Sequence, residues 1–256
     1  MNDLEGRVAL ITGTSRPEGI GFGIAQRLAS MGADLCVHGF TPYDRQQYGQ
    51  RTEHESMLQT LRDHGQRIEW IEADLTNPKA PARVMQTAVD AFDHVDILIA
   101  NHAYSTRQPL DALTAAEIDR HLSVNVRGTL LLVREFARQH DGRPGGRIVL
   151  MTSGQHLGPM TNELAYVASK GALHQLTASL SDALIDKGIT VNTVNPGPTL
   201  TWEPGDDEQA WVKAHMPLGR WGTPEDAARL IGWLVSDEAR WIAGQVINSE
   251  GGFRRG

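Results

Sequence analysis

The sequence predicts an α/β fold built on a doubly wound parallel sheet of about seven strands with helices on both faces. Two observations predict it. Short apolar runs of strand length recur along the 256 residues, separated by longer stretches of helical periodicity, and the first run leads into a glycine-rich turn that opens a helix. Strands alternating with helices require right-handed crossovers, which make neighbouring strands parallel and place helices on both faces.

The elements follow in order. Val8-Ala-Leu-Ile11 is the first strand, and Thr12 to Ala25 carries the glycine-rich turn into a helical pattern that continues through Leu28. Leu35-Cys-Val37 is the second strand; its single cysteine, Cys36, excludes an internal disulfide or a thiolate cluster and reads as a small buried hydrophobe. Phe40 to about Thr52 exceeds ordinary loop length, and long loops in compact domains tend to be functional. Ile68-Glu-Trp-Ile71 and Ile97-Leu-Ile99 are the third and fourth strands, followed by a helical run from Ile118 to Glu135. Ile148-Val-Leu-Met151 is the fifth strand, a helix carries Tyr166-Val-Ala-Ser-Lys170, and Thr190–Val194 and Val246-Ile247 complete the sheet. Between the last two strands a second long segment, Thr199 to about Pro217, holds Trp202, Pro204, Asp206-Asp-Glu208 and Trp211, a composition suited to a short helical lid. Without a repeat, linker or low-complexity tract, residues 1–256 read as one dinucleotide-binding and catalytic domain with a substrate lid at about 199–217.

Composition narrows the function. With 40% hydrophobic and 21% charged residues the chain can build a large core, and a formal net charge of −7 without any basic block argues against nucleic acid. The opening residues lack the basic region and apolar stretch of a signal peptide, and no run approaches the roughly 20 apolar residues of a membrane span, so a cytoplasmic protein without membrane contact is expected. His pairs at metal-ligand spacing are absent, and no metal is expected.

The turn T-G-T-S-R-P-E-G-I-G offers Gly13, Gly19 and Gly21 for a tight turn and close backbone approach, and free N–H groups at the helix start favour a pyrophosphate, as in a Rossmann-type site. Ser15, Arg16 and Ile20 lie in the same turn. The spacing departs from G-x-G-x-x-G, so the turn alone is weak. An acidic side chain at the end of the second strand would bind a ribose 2′-hydroxyl and repel a 2′-phosphate. His38-Gly39-Phe40-Thr41 contains none, and Arg16, with Thr41 and Arg45 as weaker candidates, can pair with a 2′-phosphate. NADP(H) is therefore favoured and NAD(H) remains possible, because the 40–52 segment can still supply an acceptor.

Ser153 lies at the end of the fifth strand, where doubly wound sheets face their ligand crevice. Tyr166 and Lys170 are four apart on one helix face. A phenol with an ordinary pKa near 10 exchanges protons poorly at neutral pH, and a cation about 4–6 Å away makes that exchange practical. A hydroxyl from Ser153 can hydrogen-bond the same substrate oxygen. An isolated Tyr/Lys pair is usually a surface pair; the strand-end serine and glycine turn lift this one above that reading.

At this point the chain resembles the short-chain dehydrogenase/reductase family over essentially its whole length, near the 3-oxoacyl-[acyl-carrier-protein] reductase-like members. The matches are Thr12-Gly13 with Gly19 and Gly21, Asp74-Leu75, Asn125 in Ser-Val-Asn-Val, Ser153, Tyr166 with Lys170, Pro196-Gly197 and Glu250-Gly-Gly252. The resemblance implies that Asp74 and Leu75 border the adenine, that Lys170 also binds the nicotinamide ribose, and that Asn125 holds a water in a proton relay with Lys170. It implies that Pro196, Gly197, Thr199 and Thr201 meet the nicotinamide end, and that Phe40, Thr41, Asn101, His102 and Ala103 contact the cofactor. Two departures stand out: the glycine turn is two residues longer than the family's T-G-x-x-x-G-x-G, and Ala100-Asn-His-Ala103 replaces N-N-A-G. His102 thereby becomes a titratable ring beside the cofactor, with a packing or hydrogen-bonding role expected ahead of acid–base work.

Tyr104, Gln155, His156, Met160 and Trp202 are expected to line the substrate pocket, an amphipathic set suited to a medium-sized carbonyl compound or alcohol, free or thioester-linked. Arg143 and Lys187 could meet an acidic carrier protein. The expected function is NADP(H)-dependent interconversion of a carbonyl and a secondary alcohol, in a homotetramer or failing that a homodimer. The alternatives are an NAD-dependent alcohol or sugar dehydrogenase and a non-catalytic dinucleotide-binding sensor or scaffold.

Overall fold

A computed structural model describes residues 3–49, 54–202 and 206–255, with the side chains of 48, 206–209 and 213 outside the description. Pro204 and the side chains of the 206–208 acidic trio therefore lie outside the described residues. Seven strands form one sheet in the order β3-β2-β1-β4-β5-β6-β7, every pairing parallel. They are β1 Val8–Thr12, β2 Asp34–Gly39, β3 Ile68–Glu72, β4 Ile97–Ala100, β5 Gly146–Met151, β6 Ile189–Asn195 and β7 Val246–Asn248. Each matches an apolar run in the sequence and extends it by one to three residues. The helices are α1 Ile20–Ser30, α2 Thr41–Tyr48, α3 His54–Arg62, α4 Ala80–Phe92, α5 Ala115–His121, α6 Thr129–Gln139, α7 Leu164–Ile185, α8 Asp206–His215 and α9 Pro224–Val235.

The period of two in a strand sorts β1 between two cores. Ala9 and Ile11 join Ile24 and Leu28 of α1 with Ile231 and Leu234 of α9 on one face. Val8 and Leu10 join Val84 of α4 and Phe136 of α6 on the other. Cys36 of β2 is buried in that second core, and burial pushes its thiol up to about 12, consistent with an inert packing residue. The chain reverses direction across the sheet between β1 and β4, which opens a crevice at their carboxyl ends.

One expectation is corrected here. The segment from Phe40 is not a long loop: Thr41–Tyr48 is helical, with proline at its start and Gly49 closing it at φ +65°. The helical run from Ile118 to Glu135 is present, with the added feature of a π-helical stretch, Leu122–Gly128, between α5 and α6. Such stretches gather at functional sites, and this one carries Asn125. The segment from Thr199 to about Pro217 carries the short helix α8.

Candidate active site

The glycine turn is built as its composition requires. Gly13 stands at φ +73°, and a Cβ on it would come within 2.9 Å of the His102 backbone. A Cβ on Gly21 would collide with the Gly13 carbonyl and stand 2.7 Å from Asn101 Nδ2. Asn101 holds the turn closed by donating through Nδ2 to the carbonyls of Thr12 and Gly13, at 3.1 and 3.0 Å. Gly19 caps α1 without a side-chain bond, Ile20 opens the helix, and the first turn carries no acid, so its amides are unopposed by negative charge. Helix starts of this kind accept phosphate oxygens.

At the end of β2 a Cβ on Gly39 would press on Ser15 and Trp70, which keeps the strand end flush with the turn. Beyond it the structure supplies what the sequence reading missed. Asp44 of α2 is buried, accepts a hydrogen bond from Ser15 Oγ, and lines the same cleft as Gly13, Arg16 and Phe40. Burial raises its carboxyl above the ordinary range even though Ser15 and Arg16 pull it down. The signal was Thr41-Pro-Tyr-Asp44, a helix-start pattern with proline in the first turn. Thr41 turns away from the cleft to donate to Glu72 Oε2, and Arg16 reaches across to the Thr201 carbonyl. Tyr43 spans the cleft edge, its hydroxyl donating to the Ser105 carbonyl at 3.2 Å and accepting from the Ser105 amide at 3.1 Å.

The opposite wall follows β3 and β4. Asp74 and Leu75 line the cleft, and Asp74 Oδ1 also accepts the Thr76 amide at 2.8 Å. His102 is buried, with Nε2 donating to the Val124 carbonyl at 3.1 Å and Nδ1 accepting from Thr12 Oγ1 at 2.7 Å. Burial, helped by His38 and Lys170, pulls its pKa to about 3, so the ring is neutral. It joins the end of β1 to the π-helical stretch, a tie the Ala100 side chain cannot make. Asn125 is fully buried and clamps the Tyr104 backbone from both sides: its Oδ1 accepts the amide at 2.7 Å and its Nδ2 donates to the carbonyl at 2.9 Å. The same Nδ2 reaches Ser169 Oγ at 2.9 Å, and the Asn125 carbonyl accepts Thr129 Oγ1 at 2.7 Å. Tyr104 lines the cleft with Ala103, while its hydroxyl is committed to Glu117.

Ser153 follows β5 and begins a short 3₁₀ turn, Gly154–His156. Lys170 of α7 is 2% exposed; Nζ donates to the Met151 carbonyl at 2.8 Å and stands 5.7 Å from the Tyr166 ring centroid. Burial lowers its pKa to about 8. An ammonium so placed, between the end of β5 and a half-buried phenol, can stabilise negative charge on the phenolic oxygen. Past β6, the Asn195 side chain accepts the Gly197 amide at 3.0 Å, and Thr199 Oγ1 returns to the carbonyls of Pro196 and Gly197. The remaining pocket candidates lie outside the lining of that cleft. Gln155 donates to Thr152 Oγ1, His156 is exposed and stacks on His174, Met160 is half-buried, and Trp202, 43% exposed, meets Trp221 edge-on.

A family model described as enoyl-(acyl carrier protein) reductase matches residues 13–254. The uncharacterized oxidoreductase YjdA of Bacillus subtilis is 42% identical over 258 residues, covering all of both chains. Versicolorin reductase stcU of Emericella nidulans is 33% identical over 98% of this chain and 97% of its own. Among solved structures, a short chain dehydrogenase from Burkholderia cenocepacia in complex with NADP superposes with a TM-score of 0.86 at 34% identity, covering 98% of each chain.

Proposed function

This chain belongs to the short-chain dehydrogenase/reductase family of oxidoreductases, and from that premise we propose that it uses NADP(H) to interconvert a carbonyl compound and a secondary alcohol. The observation that carries the proposal is the buried Lys170 ammonium beside Tyr166, at the end of β5 where Ser153 begins its turn. A nicotinamide bound along the cleft would supply hydride to the carbonyl carbon. The chain's own residues do the rest. Tyr166 donates its hydroxyl proton to the substrate oxygen, Ser153 hydrogen-bonds that oxygen, and Lys170 stabilises the charge left on the phenol. The Asn125 carbonyl, which accepts Thr129 Oγ1 in the π-helical stretch, is the group that would hold the bridging water of a proton relay to Lys170.

The cofactor would run from Asp74 and Leu75 at the adenine end, over the glycine turn, to Pro196 and Gly197 at the nicotinamide end. Gly21, whose missing Cβ is what the close approach needs, and the uncapped start of α1 fit a pyrophosphate. Arg16 and the absence of an acid at the end of β2 support NADP(H), as does the NADP complex of the Burkholderia relative. Asp44, which lines the cleft beside Arg16, opposes a 2′-phosphate. The substrate is read as a medium-sized ketone, with 3-oxoacyl thioesters and, from the versicolorin reductase relative, versicolorin as candidates to test. Arg143 pairs with Asp141 at 2.7 Å, which weakens it as a contact for an acidic carrier protein. Trp241, 95% exposed near the edge strand β7, supports self-assembly into the expected homotetramer. No helix of the described residues is long and apolar enough to cross a membrane.

The test is oxidation of NADPH and of NADH against a panel of 3-oxoacyl thioesters, diketones, cyclic ketones and aromatic ketones. NADPH-dependent reduction of at least one class is expected. Tight cofactor binding with no turnover of any class would favour a dinucleotide sensor instead.

A further inference from the structure

The segment that follows β7 joins two parts of the site that the sequence leaves far apart. Glu250 accepts both guanidinium nitrogens of Arg255, Nη1 to Oε2 at 2.8 Å and Nη2 to Oε1, while Oε1 also accepts Asn195 Nδ2 at 2.7 Å. The side chains are 8% and 22% exposed, so the fork is largely shielded from water and its geometry is fixed. Burial would raise the Glu250 carboxyl, but Arg255 and Asn195 together hold it below the usual range, and the pair is ionic at neutral pH.

Arg255 fits a slot made by two glycines of the Ser153 loop. A Cβ on Gly158 would stand 2.6 Å from Arg255 Cδ, and one on Gly154 would collide with the guanidinium and sit 3.1 Å from Glu250 Oε1. On its other side Glu250 abuts the turn after β6: a Cβ on Gly197, which is at φ +67°, would come within 2.7 Å of the Glu250 Cα. The segment also holds α8. The Arg255 guanidinium lies 4.6 Å over the Phe253 ring, Phe253 meets Trp211 at 5.4 Å, and the Arg254 amide donates to the His215 carbonyl at 2.9 Å. Trp211 in turn stacks on Trp221 at 4.6 Å with the rings 7° from parallel.

We infer that Arg255 is a positioning residue: with Glu250 it latches the Ser153 loop to the Asn195–Gly197 turn and couples both to the α8 lid. The latch rests on the proposed reduction for its catalytic meaning, since what it positions is the Ser153 hydroxyl. Small displacements of such a group are costly, about a hundredfold in rate for 1 Å.

The experiment compares wild type, Arg255→Ala, Arg255→Lys and Glu250→Gln by amide hydrogen exchange across residues 152–158 and by kcat, KM and NADPH dissociation constant with a ketone the wild type reduces. Arg255→Ala is expected to speed exchange in that loop about tenfold while β1 and β4 stay protected. Its kcat should fall about tenfold to a hundredfold, with KM and NADPH affinity within about threefold. Arg255→Lys, which keeps the charge but not the fork, should recover part of the loss, and Glu250→Gln should loosen the same loop. Unchanged loop exchange in both Arg255→Ala and Glu250→Gln overturns the latch, as does faster exchange spread evenly through the sheet. Should Arg255→Ala not fold, Arg255→Lys against Glu250→Gln carries the same comparison. If the wild type reduces nothing, the proposed activity fails while the exchange data still judge the latch.

Discussion

Replacing Lys170 with methionine is predicted to stabilise the protein while abolishing turnover. The native fold holds this ammonium 2% exposed, hydrogen-bonded to the Met151 carbonyl, and burial lowers its pKa from 10.5 to about 8. At 1.36 kcal/mol for each factor of ten in proton affinity, keeping that charge costs the native state about 3 kcal/mol at neutral pH. Methionine has a similar volume and removes the charge, but it leaves the Met151 carbonyl without this donor, a loss of about 1 kcal/mol. The net gain is about 2 kcal/mol, worth roughly 5 °C in Tm for a chain of this size. Because the folded pKa lies below the unfolded one, the native state loses its proton first as pH rises, while the unfolded chain keeps its own until about 10.5. Wild-type stability therefore climbs toward that of the variant between pH 8 and 10.5, and the difference is largest below pH 8. Thermal or urea unfolding of the cofactor-free proteins at pH 7 and pH 10 reads this directly. A variant less stable than wild type at pH 7, or a difference that does not shrink with pH, would refute the picture of Lys170 as a desolvated charge held for function.

Three further outcomes follow from the cleft. Asp44→Asn removes the buried carboxylate bonded to Ser15 and should raise the preference for NADPH over NADH about tenfold in kcat/KM; an unchanged ratio would place Asp44 outside the ribose subsite. His102→Ala cuts the tie between Thr12 and Val124 and should cost about 2–4 kcal/mol in urea unfolding, whereas the wild-type rate should show no inflection from this ring between pH 5 and 8, because it is already neutral. Gly21→Ala drives a methyl into the Gly13 carbonyl and should weaken NADPH binding more than about tenfold in a fluorescence titration.

The seven strands were legible because each is a short apolar run, and the period of two along β1 divides it between the cores as the residues dictate. The glycine turn and the Ser153, Tyr166 and Lys170 set were legible for a similar reason: spacing on a strand end and a helix face determines where such side chains point. What escaped had weaker local signals. Thr41-Pro-Tyr-Asp44 is a helix start, but its mean hydropathy is low, and Asp44 reaches the cleft from α2 instead of from β2. The π-helical stretch at Leu122–Gly128 has its apolar residues at 122, 124 and 126 yet buries Asn125 and Gly128, so apolar periodicity does not mark it. The contacts of Arg255 with Gly154 and Gly158 span about a hundred residues of chain, and neither glycine announces a guanidinium as its neighbour.

The most direct measurement is NADPH oxidation by wild type and Tyr166→Phe with the same ketone, alongside NADPH binding by fluorescence. The phenylalanine variant should bind NADPH within about threefold of wild type, since the lost hydroxyl serves the substrate oxygen, and should lose turnover by about a thousandfold. A variant that keeps more than about a tenth of the wild-type rate would show that Tyr166 is not the proton donor, and the account of Lys170 as its electrostatic partner would fall with it.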